Sequence, residues 1–228
     1  MSSQRPLALV TGASRGIGAA VATVLAPTHD LLLGGRDATA LADVAGRLGA
    51  RALPWPVDLT DAAALAGATE RIDELDVLVH SAGVGLLGTI AELSADTWRQ
   101  QFEINVVAVA ELTRLLLPAL RAAGGTVVCV NSGAGLAARP RWGSYAASKF
   151  ALRAFADSLR AEEPSIRVCS VHPGRVDTEM QRAVVAHEGG TYDAARYLRP
   201  ESVASAVLAA VTASPEAHVT EIVVRPRG

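Results

Sequence analysis

Short, uniformly apolar runs alternate with longer segments of helical periodicity along almost the whole chain. Because strands that are apolar at consecutive positions are covered on both faces, this alternation predicts a parallel sheet with helices on both sides. The expected strands are Leu7–Val10, Leu31–Gly34, Ala52–Pro56, Val77–His80, Thr126–Val130, Ile166–Val171 and Val219–Val224. The expected helices are Gly16–Ala26, Ala38–Leu48, Asp61–Ile72, Asp96–Ala123, Ser144–Glu163 and Glu201–Ala213.

The order of these elements favours an α/β, doubly wound sheet with strand order 3-2-1-4-5-6 and a seventh strand at the edge. No linker, repeat or low-complexity tract divides the 228 residues, so we expect one domain over residues 1–228. Pro118 falls inside the long fourth helix and predicts a kink there. The least regular segment, Thr178–Arg199, is interpreted as a substrate flap with one short helix.

Composition argues against several classes of protein. A net charge of -2 does not suit a nucleic-acid binder, and no run approaches the roughly 20 apolar residues of a membrane span. The polar start, Met1–Pro6, lacks the apolar stretch of a signal peptide, so a cytoplasmic setting is expected. Cys129 and Cys169 lie in apolar runs and predict buried free thiols, and the five histidines show no metal spacing. The richness in alanine and arginine hints at a GC-rich bacterial genome.

A glycine-rich turn, Thr11–Gly18, joins the first strand to the first helix. Gly12 permits a tight turn, Gly16 lets backbone approach a pyrophosphate, and Gly18 allows close helix–strand packing. Free amides and the dipole at the helix start favour an anion. The turn therefore predicts a dinucleotide site of the Rossmann fold, with a purely structural turn as the alternative.

Lys149 is the only lysine among 21 basic residues, and it lies four positions after Tyr145. On the expected helix these two side chains share a face. An ammonium beside a phenol favours the phenolate, so the expected effect is a lower tyrosine pKa. Codon bias explains why lysine is scarce, and a solvated surface lysine is the plainer alternative.

The glycine turn Gly12-x-x-x-Gly16-x-Gly18 followed by Tyr145-x-x-x-Lys149 resembles the short-chain dehydrogenase/reductase family, in its compact single-domain branch. The resemblance extends from about Leu7 to Val224. It implies an oxidoreductase that transfers hydride between a nicotinamide cofactor and a carbonyl or secondary alcohol. The resemblance also implies that six residues of the glycine turn bind the cofactor. They are Gly12, Ser14, Arg15, Gly16, Ile17 and Gly18.

The end of the second strand bears on which cofactor is used. Arg36 follows Gly35 there, and Arg15 is a second nearby guanidinium; two arginines suit the extra phosphate of NADP. Resemblance to members of the family that prefer NADP points the same way. The alternative is that Asp37 turns inward and selects NAD.

Further residues are assigned to the cofactor by the same resemblance. Asp58, with Leu59, matches the acid that contacts the adenine, although a helix cap is an alternative role. His80-Ser81-Ala82-Gly83 stands where the family usually has Asn-Asn-Ala-Gly; Ser81, Ala82 and Gly83 are expected near the ribose, and His80 is interpreted as a core group. The turn expected to hold the nicotinamide contains Pro173, Gly174, Val176 and Thr178, with Thr178 bonding the carboxamide.

Four residues are the expected catalytic set. Tyr145 would exchange the proton with the substrate oxygen, and Lys149 would tune it and bind the ribose. Ser132, at the carboxyl end of the fifth strand, would donate to the same oxygen. Asn105 matches the family's water-holding asparagine, although on its own it suits a structural role.

The substrate is not specified by these motifs. Expected pocket residues are Val84, Leu86, Ala134, Leu136, Arg139, Trp142, Met180 and the flap to Tyr197; Arg139 and Arg141 suit either an anionic substrate or a solvated loop. The alternatives to a dehydrogenase are a cofactor-binding sensor or scaffold, and a lyase or epimerase. The resemblance also implies a homodimer or homotetramer.

Overall fold

A computed structural model describes residues 5–227 and contains one seven-stranded sheet in which every neighbouring pair is parallel. The strand order is β3-β2-β1-β4-β5-β6-β7, so the expected doubly wound fold is confirmed. The strands are β1 Leu7–Thr11, β2 Asp30–Gly35, β3 Ala52–Pro56, β4 Val77–His80, β5 Thr126–Val130, β6 Arg167–Pro173 and β7 Glu221–Val224. The helices are α1 Gly16–Leu25, α2 Ala38–Leu48, α3 Ala62–Thr69, α4 Ala95–Phe102, α5 Ala108–Ala123, α6 Gly143–Glu162, α7 Glu179–His187 and α8 Pro200–Val211.

Two apolar layers cover the faces of the sheet. One contains side chains of α1, α2 and α8, and the other contains side chains of α3, α5 and α6. Strand β1 shows how both layers are supplied: Ala8 and Val10 join the first layer, whereas Leu9 joins the second. Successive strand residues point to opposite faces, so an unbroken apolar strand contributes to both layers.

The predicted helix Asp96–Ala123 is two helices separated by a π-helical turn, Glu103–Val107. Helix α5 continues past Pro118 to Ala123, and the interruption that divides the predicted helix is centred on Asn105. Single π turns inside helices commonly mark functional positions, since the extra residue redirects a side chain.

The segment Thr178–Arg199 contains α7 and a 3-10 turn, Ala194–Arg196, in agreement with the expected short helix. Within residues 5–227 no helix combines the length and apolar character needed to cross a bilayer. Cys129 and Cys169 are buried free thiols, as expected, and burial raises their pKa values to about 12 and about 11.

Candidate active site

The glycine turn leaves no room for side chains at Gly12 and Gly18. Gly12 and Gly16 have φ values of +66° and +55°, in the left-handed region that favours glycine. A Cβ on Gly18 would lie 2.2 Å from the carbonyl oxygen of Gly12, so the start of α1 can approach β1 only without one. Residue Arg15, at the N-cap of α1, makes no side-chain cap, and the first amides of the helix remain available to an anion.

The exit of β4 is tied to β1 by a residue that the sequence did not single out. The Thr11 hydroxyl oxygen accepts from the backbone N–H groups of Ser81 and Ala82, at 3.0 and 3.1 Å. A Cβ on Gly12 would lie 2.9 Å from the Ala82 backbone, so the glycine turn and the β4 exit are in close contact. Ser81 and Ala82 therefore lie against the glycine turn.

His80 is a core group, as interpreted from the sequence. Its Nε2 lies 2.9 Å from the Thr113 hydroxyl of α5, and burial lowers its pKa to about 3. The ring is therefore neutral at physiological pH. This contact links the central strand to α5 at the position where the family pattern has an asparagine.

The carboxyl end of β2 presents Arg36, while the neighbouring acid has another role. Asp37 is the N-cap of α2, and its carboxylate accepts from the backbone N–H of Ala40 at 3.0 Å. Across the glycine turn, Arg15 Nη1 lies 2.9 Å from the Glu179 carboxylate, with both side chains mostly exposed.

Asp58 does not cap α3, because Asp61 does so by accepting from Ala63 and Ala64. The Asp58 carboxylate instead accepts from the backbone N–H and the hydroxyl of Thr60, at 3.0 and 2.8 Å. These bonds lower the pKa of Asp58, with a smaller contribution from Arg36. The carboxylate is thus fixed at the carboxyl end of β3.

Tyr145 and Lys149 lie on one face of α6 and are both buried. The Lys149 ammonium donates to the carbonyl oxygen of Val130 at 3.0 Å and lies 5.9 Å from the centroid of the Tyr145 ring. Burial lowers the pKa of Lys149 to about 8. Burial raises the pKa of Tyr145, and a hydrogen bond with Ser132 opposes that rise. The expected lowering of the tyrosine pKa is therefore wrong, because desolvation outweighs the one opposing contribution, the bond with Ser132.

Asn105 joins three parts of the site from its π turn. Its Oδ1 accepts from the backbone N–H of Val84 at 2.9 Å, and its Nδ2 donates to the Val84 carbonyl and to the Ser148 hydroxyl, at 2.9 and 3.0 Å. A Cβ on Gly83 would lie 3.1 Å from Oδ1 of Asn105 and 3.9 Å from the Lys149 ammonium. Asn105 and Lys149 therefore border the same small space above Gly83.

Asn131 and His172 position Ser132, and neither was expected from the sequence. Asn131 accepts from the backbone N–H of Ser132 at 2.8 Å and donates to the Lys149 carbonyl at 3.1 Å. The Nδ1 of His172 lies 3.1 Å from the Ser132 carbonyl oxygen. Both residues are buried. The one signal that the sequence offered is that each is a polar residue at the end of an apolar strand.

A cleft of about 200 Å³ opens at the carboxyl edge of the sheet and brings Ser132 and Tyr145 together with Pro173, Gly174, Val176 and Thr178. Of the expected pocket residues, Ala134, Arg139, Trp142 and Met180 line it. Val84, Leu86 and Leu136 do not, and Gly85, Leu87 and Ala137 line it instead. Tyr197 lines an adjoining cleft.

Comparison with known proteins agrees with this geometry. A family model described as short chain dehydrogenase matches residues 6–189. The chain belongs to the short-chain dehydrogenase family. It is therefore an oxidoreductase acting on CH–OH or C=O groups, and membership supports the use of a nicotinamide cofactor and a small-molecule substrate.

Two relatives and one solved structure illustrate the family match. This short-chain dehydrogenase is 34% identical to glycine betaine reductase ATRR of Emericella nidulans, over 97% of this chain but 19% of that protein, so it spans about a fifth of that relative. It is 35% identical to dehydrogenase/reductase SDR family member 7B of Bos taurus, over 89% of this chain and 69% of the relative. An alcohol dehydrogenase from the archaeon Thermococcus sibiricus, complexed with 5-hydroxy-NADP, superposes with a TM-score of 0.89 at 28% identity, covering 98% of this chain and 97% of that one.

Proposed function

We propose that this protein catalyses reversible hydride transfer between NADP(H) and a carbonyl or secondary alcohol. The observation that carries the proposal is the meeting of Ser132 and buried Tyr145 in one cleft, with the Lys149 ammonium beneath the tyrosine ring. A proton donor, a second hydroxyl donor and a fixed cation are the groups that carbonyl reduction requires of a protein.

The glycine turn fits a dinucleotide. Its backbone lacks side chains where a pyrophosphate would pass, and the uncapped start of α1 offers free amides. In the proposed complex, Pro173, Gly174, Val176 and Thr178 hold the nicotinamide, and Ser81, Ala82 and Gly83 border the ribose. The bound nicotinamide supplies or accepts the hydride.

Each proposed catalytic side chain can make the hydrogen bonds that its role requires. The Ser132 oxygen accepts from the backbone N–H of Ala134 at 3.1 Å, so its hydroxyl hydrogen, which bonds with Tyr145, can turn to the substrate oxygen. An ammonium has three donors, and the one bond from Lys149 to Val130 leaves two for the ribose hydroxyls. Tyr145 protonates the substrate oxygen during reduction and takes the proton back during oxidation.

The proposed role of Asn105 is to hold a water between Lys149 and solvent. Both of its amide hydrogens have partners, but Oδ1 accepts only one bond and has a second lone pair. That oxygen borders the space above Gly83, which Lys149 also borders.

Residues 178–199 are proposed as a flap over the substrate. Met180, Gln181 and Val184 of α7 line the cleft. Thr178, just before α7, packs against the glycine turn, since a Cβ on Gly16 would lie 3.3 Å from its Cγ2. The start of the flap thus rests on the proposed cofactor site.

NADP is proposed in preference to NAD. Arg36 directly follows β2, and Arg15 belongs to the glycine turn, which contacts β2 where the Ala13 N–H donates to the Gly34 carbonyl at 3.0 Å. Asp37 is engaged as the cap of α2. The T. sibiricus enzyme, of similar structure, was solved with an NADP derivative.

The substitution Arg36→Asp tests the cofactor choice. A charge-assisted bond to phosphate contributes about 1.5–3 kcal/mol, so kcat/KM for NADPH should fall roughly 10- to 100-fold while that for NADH holds or rises. Arg47→Asp, an exposed site in the last turn of α2, controls for net charge. A wild-type preference for NADH would contradict the assignment.

The reaction class is tested by oxidation of NADPH with a panel of aldehydes, ketones, quinones and acyl-thioester ketones. We expect carbonyl-dependent consumption of NADPH with at least one member, and the matching alcohol as product. Tight cofactor binding without turnover of any carbonyl would favour a sensor or scaffold instead.

A further inference from the structure

One arginine from the far end of the chain reaches the proposed catalytic cleft. Arg225 directly follows β7 and lines the cleft together with Ser132 and Tyr145. A Cβ on Gly133 would lie 2.1 Å from Nη1 of Arg225 and 3.1 Å from its Cζ. The guanidinium therefore occupies the space that a side chain at Gly133, the residue after Ser132, would fill.

The backbone around Arg225 is held in register. The N–H of Gly174 donates to the Val224 carbonyl at 2.8 Å, and Pro173 is paired with Val224 in the sheet. Pro226, on the other side, packs against Gly174, where a Cβ would lie 2.8 Å from its Cδ. The position of Arg225 at the carboxyl edge is thus fixed by the sheet and a proline.

The cleft is positively charged. Three of its lining residues are arginines, and none is an aspartate or glutamate; the arginines are Arg139, Arg175 and Arg225. Arg175 pairs with Glu188 and lies over the Trp142 ring. Within residues 5–227, no carboxylate lies within 4 Å of the guanidinium nitrogens of Arg139 or Arg225. A cleft lined by one sign of charge concentrates ligands of the opposite sign.

We propose that the substrate is a short oxo acid, or the corresponding hydroxy acid, whose carboxylate is bound by Arg225. This inference rests on the proposed function. A planar guanidinium matches a carboxylate through two parallel hydrogen bonds. Because Arg225 lies against Gly133, next in sequence to Ser132, the carboxylate must be close to the reacting carbonyl, as in a 2- or 3-oxo acid.

The carboxylate is unchanged by the reaction. During reduction the carbonyl π bond breaks, hydride from the reduced nicotinamide forms the new C–H bond, and Tyr145 gives its proton to the oxygen. The products are the hydroxy acid and the oxidised cofactor, and the Tyr145 phenolate regains its proton from solvent. Arg225 holds the acid group while Ser132 and Tyr145 face the carbonyl oxygen.

The test compares two oxo acids with their neutral esters: acetoacetate with methyl acetoacetate, and phenylglyoxylate with methyl phenylglyoxylate. Wild type should reduce at least one acid with kcat/KM ten or more times that of its ester. In Arg225→Leu that preference should disappear through a tenfold or greater fall for the acid alone, and Arg225→Lys should restore part of it. Arg227→Leu, an exposed arginine that does not line the cleft, should behave as wild type.

A binding measurement separates this inference from the proposed function. Quenching of tryptophan fluorescence by the same acids reports on binding through Trp142 and needs no turnover. The Kd for NADPH should be equal in wild type and Arg225→Leu.

Two kinetic results would overturn the carboxylate site while leaving carbonyl reduction intact. They are an equal kcat/KM for acid and ester in wild type, or equal losses of kcat/KM for both substrates in Arg225→Leu. A change confined to NADPH affinity would overturn it as well. Absence of any carbonyl reduction, with acid binding that depends on Arg225, would retain the site and reject the proposed function.

Discussion

Among single residues, Lys149 shows the cost of removing a charged group from water. It is buried beneath Tyr145 and donates to one backbone carbonyl. Burial of a cation disfavours its charged form, which is why its pKa falls to about 8. A protein that only needed positive charge here would gain nothing from placing it in the interior, so the burial supports a role in catalysis.

This burial predicts how stability depends on pH. Between a folded-state pKa of about 8 and the unfolded value near 10.4, the unfolded chain binds more protons, so the lysine's contribution to stability becomes more favourable as pH rises. Relative to Lys149→Met, the unfolding free energy of wild type should therefore increase by about 2 kcal/mol from pH 8 to pH 10.

Urea unfolding of the two proteins without cofactor measures this difference. Tyrosines and cysteines titrate in both proteins, so comparing them isolates Lys149. If the difference in unfolding free energy between the two proteins did not change with pH, the ammonium would not be desolvated.

The sequence predicted the proposed catalytic residues better than the residues that position them. Tyr145, Lys149 and Ser132 follow from spacing and from their place at helix and strand ends. The link from Thr11 to Ser81 and Ala82 joins residues about 70 positions apart, and no local pattern encodes such a contact. The direction of the Tyr145 pKa shift depends on burial, which the i, i+4 spacing does not contain.

At the scale of elements, the glycine turn is defined by backbone approach. Gly18→Ala would place a methyl group 2.2 Å from the Gly12 carbonyl oxygen and force α1 away from β1. We expect at least a tenfold loss of NADPH affinity and a loss of stability of a few kcal/mol, in the range of overpacking at a close contact.

Gly46→Ala provides the matched control. Gly46 lies inside α2, and no atom lies within 4 Å of the position that an added methyl group would take. Alanine should therefore raise the unfolding free energy by about 0.5–1 kcal/mol and leave cofactor affinity unchanged. Calorimetric titration with NADPH and urea unfolding check both variants. Normal NADPH affinity in Gly18→Ala would contradict the proposed pyrophosphate site.

The π turn at Asn105 is the element that periodicity could not predict. One extra residue in a helical turn leaves composition and apolar spacing almost unchanged, so the segment Asp96–Ala123 looks like one helix. The turn is stabilised by the bonds of Asn105 to Val84 and Ser148, and these partners lie on other parts of the chain.

At the scale of the whole molecule, the sheet order was predictable because parallel strands joined by helices permit few topologies. The residues that line the cleft were harder to predict. Its wall is built from loops, where Gly85 and Leu87 face inward instead of Val84 and Leu86, and from Arg225 at the opposite end of the chain. Side-chain direction in loops depends on tertiary contacts that no strand or helix period describes.

We predict that the protein forms an oligomer. Val107 and Phe150 are exposed apolar residues, 48% and 42% accessible, on the π turn and on α6, which pack together. The family resemblance implies a homodimer or homotetramer formed through the fourth and fifth predicted helices, Asp96–Ala123 and Ser144–Glu163, and both residues belong to those segments. We expect light scattering to give a multiple of the 23.5 kDa chain mass and Phe150→Glu to shift it toward the monomer.

The control is Leu53→Glu, because Leu53 is an exposed apolar residue on β3, at the far edge of the sheet. This variant should keep the wild-type mass. A mass that Phe150→Glu does not alter would place the interface elsewhere.

In the proposed mechanism, Tyr145 exchanges the proton during hydride transfer. Tyr145→Phe removes only the hydroxyl, and loss of a positioned proton donor slows reactions by roughly 10²–10⁴-fold. The deciding measurement is the single-turnover rate of NADPH oxidation with a carbonyl accepted by wild type, alongside the Kd for NADPH. We predict a rate at least 10²-fold lower in Tyr145→Phe with cofactor affinity within about twofold of wild type, whereas a near-normal rate would contradict the mechanism.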